Sequence, residues 1–214
     1  MPVKNRQYNH NSNLIRMKIL HLISSPQGET SNSKKLGNAI VEKLLMANPE
    51  SELVVRNLNE NVLPHLDETI ISSFYTPDEY ITPQLKEVAK QSDGVVAQVV
   101  NADVVVIGAP IYNYGIHSSL KVWIDHLVRV RKTVSFADGT PKGLITGKKV
   151  YLAVSSGAVF SEGYYKPFDF VEPYLRAALG LVGITDITTY RSEGTSMPGI
   201  MEAGLQNAID SIAV

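Results

Sequence analysis

Lys18-Ile-Leu-His-Leu-Ile-Ser-Ser-Pro-Gln-Gly-Glu-Thr-Ser-Asn-Ser33 reads as an apolar strand running into a hydroxyl-rich loop, with a helix expected where the stretch ends. Ile19, Leu20, Leu22 and Ile23 put apolar side chains on both faces of the strand, as in a parallel strand covered on both sides by helices. Ser25, Ser31, Asn32 and Ser33 fall where hydroxyls and free backbone N–H groups can converge on an anion, with the positive end of a helix dipole behind them. Taken alone, the segment is either a polar strand-to-helix loop with an N-cap or a phosphate site.

The next elements repeat the alternation. Leu36, Ile40, Val41, Leu44 and Leu45 form a helical stripe that Asn48-Pro49 stops, and Leu53 to Leu58 is a short strand. Residues 68–83 mix apolar and turn residues and fit a short helix followed by a lid-like loop. Thr82-Pro83 is an N-cap with proline at the first helical position, opening a helix that Gly94 either breaks or kinks. Val104-Val-Val-Ile-Gly108 is a β-branched buried strand, and a helix through Leu120, Trp123, Ile124 and Leu127 follows it. Val134 and Phe136 start a small hairpin or flap. Lys149 to Ser155 is a fourth strand, Pro173 opens a helix, Ile184 to Tyr190 is a fifth strand suited to a sheet edge, and Ile200 to Ile212 lines a last helix. Five strands alternating with helices predict a doubly wound α/β domain with a mainly parallel sheet. In such a sheet ligands bind beyond the carboxyl ends of the strands; for the order 2-1-3-4-5 the loops after strands one, three and four share one edge and form one cleft.

Those loops carry the distinctive residues. Ala109 to Ser119 holds two tyrosines beside Asn113 and Gly115, a set suited to a flat aromatic ligand or to a rigid turn capping the sheet edge. Ser155-Ser-Gly-Ala158 is a small-residue loop in which backbone amides can approach a ligand closely. Gly147-Lys148 is no P-loop, because it lacks the following Ser/Thr and precedes a strand.

At 214 residues the chain is most simply one domain from Met17 onward, preceded by a flexible extension over residues 1–16. The absence of cysteine excludes disulfides, thiolate nucleophiles and Cys-ligated metals, and the five histidines show no paired metal-ligand spacing. A net charge of −1 gives no pull toward nucleic acid or anionic membrane, and no apolar run is long enough to span a bilayer. Small-molecule partners and a cytoplasmic location are expected. No G-x-S-x-G elbow is present; His117 fits a capping or surface role better than a catalytic one, and His126 a structural one. A polar cleft without a protein nucleophile fits chemistry supplied by a bound cofactor, so no side chain is expected to be catalytic.

The ordered set S-S-x(5)-S-N-S (24–33), A-P-I-Y-N-Y (109–114), G-L-I-T-G-K-K (143–149), S-S-G-A (155–158) and L-G-L-V-G-I-T-D (179–186) resembles the FMN-dependent NADH azoreductase and quinone reductase family. The resemblance implies a flavodoxin-like three-layer α/β/α fold, a homodimer, bound FMN, NADH or NADPH as donor, and two-electron ping-pong reduction of quinones or azo compounds. It assigns Ser25, Ser31, Asn32 and Ser33 to the FMN phosphate, Ile111, Tyr112, Asn113 and Tyr114 to the isoalloxazine ring, and Ser155, Ser156, Gly157 and Ala158 to its pyrimidine end. Asn32 stands where Gln is frequent, Ile111 where Met is, and Ala158 replaces a glycine, so it needs a negative φ or carries strain. The flap between Phe136 and Gly143 is short for the family. The alternatives are a flavodoxin-type electron carrier, which a net charge of −1 does not suit, and a binding module that has lost the cofactor.

Overall fold

The computed structural model describes residues 16–214; the extension expected over residues 1–16 lies, but for Arg16, outside the described residues. In chain order the elements are β1 (Lys18–Ile23), α1 (Asn32–Ala47), β2 (Glu52–Asn57), α2 (Glu68–Tyr75), α3 (Pro83–Asn101), β3 (Val104–Pro110), α4 (Ser118–Leu127), β4 (Val134–Ser135), β5 (Lys142–Gly143), β6 (Lys149–Ser155), α5 (Val171–Leu181), β7 (Asp186–Ser192) and α6 (Met201–Asp210).

Five strands form one parallel sheet in the order β2-β1-β3-β6-β7, while β4 and β5 pair as a separate antiparallel hairpin. With the hairpin strands set aside the order is 2-1-3-4-5, as expected. The period-2 alternation of strand side chains divides the core. Leu20, Leu22, Val105, Ile107, Val150, Leu152 and Val154 face α3, α4 and α5 and pack with Val95, Val99, Leu120, Trp123, Val171 and Leu175. Ile19, Val104, Val106, Tyr151 and Ala153 face the other way, against Leu36, Ile40 and Leu44 of α1 and Ala208 beside them. The central strands β1, β3 and β6 are buried along nearly their whole length, whereas β2 and β7 lie at the edges and are exposed or half-buried.

Several elements start or run differently from the sequence expectation. α1 begins at Asn32, inside the opening stretch, because Ser31 caps it with its side chain. α3 runs unbroken through Gly94, and α5 begins at Val171, two residues before Pro173. α2 resolves the ambiguous stretch after Glu68: Asp67 caps it by accepting from the Ile70 N–H, and Ile70 and Phe74 bury one face. The hairpin closes onto the body through two glycines. A Cβ on Gly143 would sit 2.1 Å from the Gly183 nitrogen, and the Ile145 N–H donates to the Val182 carbonyl at 2.9 Å. The two glycine-bearing motifs at 143–149 and 179–186 are thus the two sides of one backbone contact.

Candidate functional site

The first of the three loops is built on the N-terminus of a 16-residue helix. Ser24 donates to the Gly108 carbonyl at 2.6 Å, tying the end of β1 to β3. Ser31 Oγ accepts from the Lys34 N–H at 3.2 Å and lies 3.1 Å from Ser33 Oγ. Of the two hydroxyl protons, one is used between Ser31 and Ser33, which leaves one to donate outward. The Lys35 N–H goes to the Ser31 carbonyl, while the Asn32 and Ser33 N–H groups, first in the helix, have no intrahelical acceptor. Ser25, Ser31 and Ser33 are buried and Asn32 is half-buried, so the loop is a pre-formed cradle of donors at the positive end of a helix.

The second loop is a two-residue reversal. Tyr112 N–H donates to the Gly115 carbonyl and Gly115 N–H to the Tyr112 carbonyl, both at 2.9 Å, with φ of 49° at Asn113 and 67° at Tyr114. This is the signature of a type I′ turn, in which Asn at the first central position is favoured and Tyr at the second costs on the order of 1 kcal/mol. The turn lifts Asn113 and Tyr114 out over the carboxyl end of β3 and leaves their own N–H groups outside its hydrogen bonds. Tyr114 stacks on Phe168 (centroids 5.3 Å, 25°) and meets Phe160 edge-on at 6.1 Å. His117 accepts from the Ser119 N–H through Nδ1 and caps α4, as expected. His126 is fully buried with Nε2 2.9 Å from the Pro64 carbonyl oxygen, a structural role.

The third loop is held from behind by a segment that its local sequence does not advertise. The Ile111 N–H donates to the Ser155 carbonyl at 2.8 Å, joining loops two and three. The carbonyls of Ser156, Gly157 and Ala158 accept from the N–H groups of Thr195, Ser196 and Gly194. Ala158 adopts a negative φ, so the missing glycine brings no strain there.

Between loops two and three opens a cleft of about 470 Å³ lined by Ile111, Asn113, Tyr114, Gly157, Ala158, Phe160 and Tyr165. Tyr112 stands behind the turn, edge-on to the His117 ring at 5.8 Å. All twelve residues singled out from the sequence therefore lie on the carboxyl edge of β1, β3 and β6. The sequence reading missed Asn59, whose Nδ2 donates to the Ser25 carbonyl at 2.9 Å, as well as Phe160, Glu193 and the amides of 194–196. Their segments read only as loops, with no motif to mark them.

Arg191, near the end of β7, gathers three carboxylates: Asp169 at 2.5 Å, Glu172, and Glu193 at 3.3 Å. Burial disfavours the Arg191 charge, but hydrogen bonds to Glu172 and Asp169 outweigh it and raise its pKa. Burial likewise pushes Glu172 up, but hydrogen bonds from Thr189, Arg191 and Arg176 hold it below the usual carboxylate range.

The model of the flavodoxin-like fold family matches residues 17–214. The chain belongs to this flavodoxin-like family. Among its relatives, the FMN-dependent NADH:quinone oxidoreductase of Mesorhizobium japonicum is 42% identical over 193 residues, covering 90% of this chain and 92% of the relative. The FMN-dependent NADH:quinone oxidoreductase of Beijerinckia indica is 39% identical over 195 residues, covering 91% and 96%. The crystal structure of an azoreductase from Bacillus anthracis superposes with a TM-score of 0.81 at 28% identity, covering 91% of this flavodoxin-like chain and 97% of that one. No helix among the described residues is long and apolar enough to cross a membrane.

Proposed function

We propose that this chain is an FMN-dependent NADH:quinone oxidoreductase that also reduces azo compounds, with FMN held across the three loops. The observation that carries the reading is the meeting, on one sheet edge, of a buried hydroxyl cradle at a helix N-terminus with an aromatic-walled cleft. The donor set fits the cofactor: a phosphate dianion needs several donors and positive potential, which Ser25, Ser31, Asn32, Ser33 and the α1 terminus supply. A flat ring system needs an apolar floor with polar groups at its edge, which Ile111, Tyr112, Asn113 and Tyr114 on one side and Ser155, Ser156, Gly157 and Ala158 on the other supply.

Bound FMN supplies two-electron carriage between NADH and an acceptor that takes the place of the nicotinamide. The protein binds and orients. The N–H groups of Asn113 and Tyr114, without an acceptor among the described residues and held rigidly by the turn, are preorganised donors for negative charge at the polar edge of a bound ring. The aromatic wall of Tyr114, Phe160 and Phe168 keeps water off one side of the cleft. Tyr114, Tyr164 and Phe170 remain 45%, 78% and 57% exposed near this rim. Such an exposed aromatic surface supports a second copy of the chain as its cover, and a donor made inside the cell supports a cytoplasmic location.

The test is an absorbance spectrum of the purified protein followed by steady-state NADH and NADPH oxidation with menadione and with an azo dye. Flavin bands and turnover with NADH are expected. Protein without flavin and without affinity for FMN overturns the reading, and flavin without turnover identifies an electron carrier instead.

A further inference from the structure

Beyond the three loops, one side chain links two walls of the cleft. Glu193 directly follows β7 with its side chain only 11% exposed. One carboxylate oxygen accepts from the N–H groups of Phe160 (2.8 Å) and Ser161 (3.0 Å), and the other from the Ser161 hydroxyl at 2.5 Å. Its own backbone is fixed. Gly194 beyond it has φ of 68°, and a Cβ there would lie 2.6 Å from Ile200 Cγ2, so any other residue would be strained and would displace Ile200. The N–H groups of Gly194, Thr195 and Ser196 then hold the carbonyls of Ala158, Ser156 and Gly157. One post therefore grips the Ser156–Ala158 loop through its backbone and the start of the aromatic segment through its carboxylate.

What hangs from the carboxylate is the wall itself. Phe160 is buried against the cleft, meets Tyr114 at 6.1 Å and packs on Tyr165 at 5.5 Å. Arg191 donates to the Glu193 carboxylate at 3.3 Å and to Asp169 at 2.5 Å, which ties the post to the far end of the same aromatic segment. Without an acceptor at this point, two adjacent amides lose their partner and Phe160 loses its fixed distance from Gly157 and Ala158. A wide, flat ligand that must fill the cleft would sense that loss more than a small one.

We propose that Glu193 is the positioning residue of the cleft: it sets the spacing between the Ser156–Ala158 loop and the Phe160 wall, and through that spacing the preference for extended aromatic acceptors such as azo dyes over compact quinones. The proposal rests on the functional reading given above, in which the cleft seats the flavin ring and an acceptor takes the place of the nicotinamide beside it under the Phe160 wall. It is tested on the flavin-loaded enzyme with Glu193→Ala, Glu193→Gln and Ser161→Ala, by amide hydrogen exchange at Phe160 and Ser161 and by KM for a bulky azo dye and for menadione. Glu193→Ala should speed exchange of the two amides at least about tenfold and raise KM for the dye about tenfold, with a rise under about threefold for menadione. Glu193→Gln, which keeps an oxygen for both amides, should restore protection and most of the dye-to-menadione ratio. Gln behaving as badly as Ala would mean that Glu193 only balances the charge of Arg191, and the proposal would fall. So would unchanged exchange and an unchanged ratio in Glu193→Ala. If that variant does not fold, Ser161→Ala should still raise the dye-to-menadione KM ratio about two- to threefold, and no rise overturns the proposal. Wild-type enzyme that turns over neither acceptor rejects the functional reading, while the exchange data still decide whether the post exists.

Discussion

Replacing Ser33 with alanine separates anion binding from folding better than any other change in the cradle. Ser33 is buried, but among the described residues its Oγ has a single partner, the Ser31 hydroxyl at 3.1 Å, and it is Ser31 that caps α1. Removing Ser33 Oγ costs the fold about 0.5–1 kcal/mol, partly returned by the better helix propensity of alanine. Removing Ser31 Oγ also strips the cap and costs about 1 kcal/mol or more. Toward a phosphate, the one hydroxyl proton that the Ser31–Ser33 pair leaves free is a donor to a charged acceptor and contributes about 1.5–3 kcal/mol; with Ser33 carrying it, Ser33→Ala should raise the Kd for FMN about 10- to 150-fold. The assay is titration of apoprotein with FMN by quenching of flavin fluorescence, beside urea unfolding of the same apoprotein. Riboflavin, which lacks the phosphate, is the control: its affinity should be the same in wild type and Ser33→Ala. An FMN Kd that does not move, or a riboflavin Kd that moves as much, refutes the placement of the phosphate at α1 and returns Ser31 to a helix cap with no ligand.

Other perturbations address the frame around the cleft. Burial, assisted by the nearby Lys34 charge, pushes His21 from the ordinary 6.5 down to about 4. The unfolded chain then takes up a proton that the folded one refuses, so the stability due to the neutral ring is intact above about pH 6.5 and is lost as pH falls toward 4. The loss is about 2 kcal/mol between pH 7 and pH 5, and urea unfolding of His21→Gln should show a correspondingly flatter profile. Gly143→Ala should destabilise by about 2 kcal/mol or more in thermal or urea unfolding, because its Cβ would meet the backbone of Gly183 at 2.1 Å and neither side is flexible. Gly180→Ala, one turn away in α5 with nothing within 4 Å of the added carbon, should instead stabilise by about 0.5–1 kcal/mol; equal effects would deny the close approach.

Local chemistry made most of this molecule legible. Val104 to Gly108 and Lys149 to Ser155 could be recognised as central strands because burial on both faces demands uninterrupted apolar runs, and Thr82-Pro83 as a helix start because a cap and a proline act within one turn. Strand alternation with helices was enough to place three loops on one edge, and the family resemblance carried by their motifs nominated twelve residues. The sequence could not say that α1 begins at Asn32 and not after Ser33, since Ser31, Asn32 and Ser33 are all acceptable caps and the packing of Leu36 and Ile40 on the sheet chooses among them. Nor could it predict a positive φ at Tyr114, which no tyrosine seeks on its own; the stack on Phe168, 54 positions along the chain, helps hold it there.

Glu193 marks the boundary most sharply. As a residue in a loop between a strand and a helix it carries no signal, because a carboxylate that accepts from backbone N–H groups 32 and 33 residues earlier leaves no periodicity to read. By itself the sequence determined the alternation of elements and the polar cradle at the first helix, both set by residues close together along the chain. Only the tertiary structure decided how wide the cleft is and what holds its walls apart, because those distances depend on hydrogen bonds and ring contacts between segments that meet only once the sheet has formed.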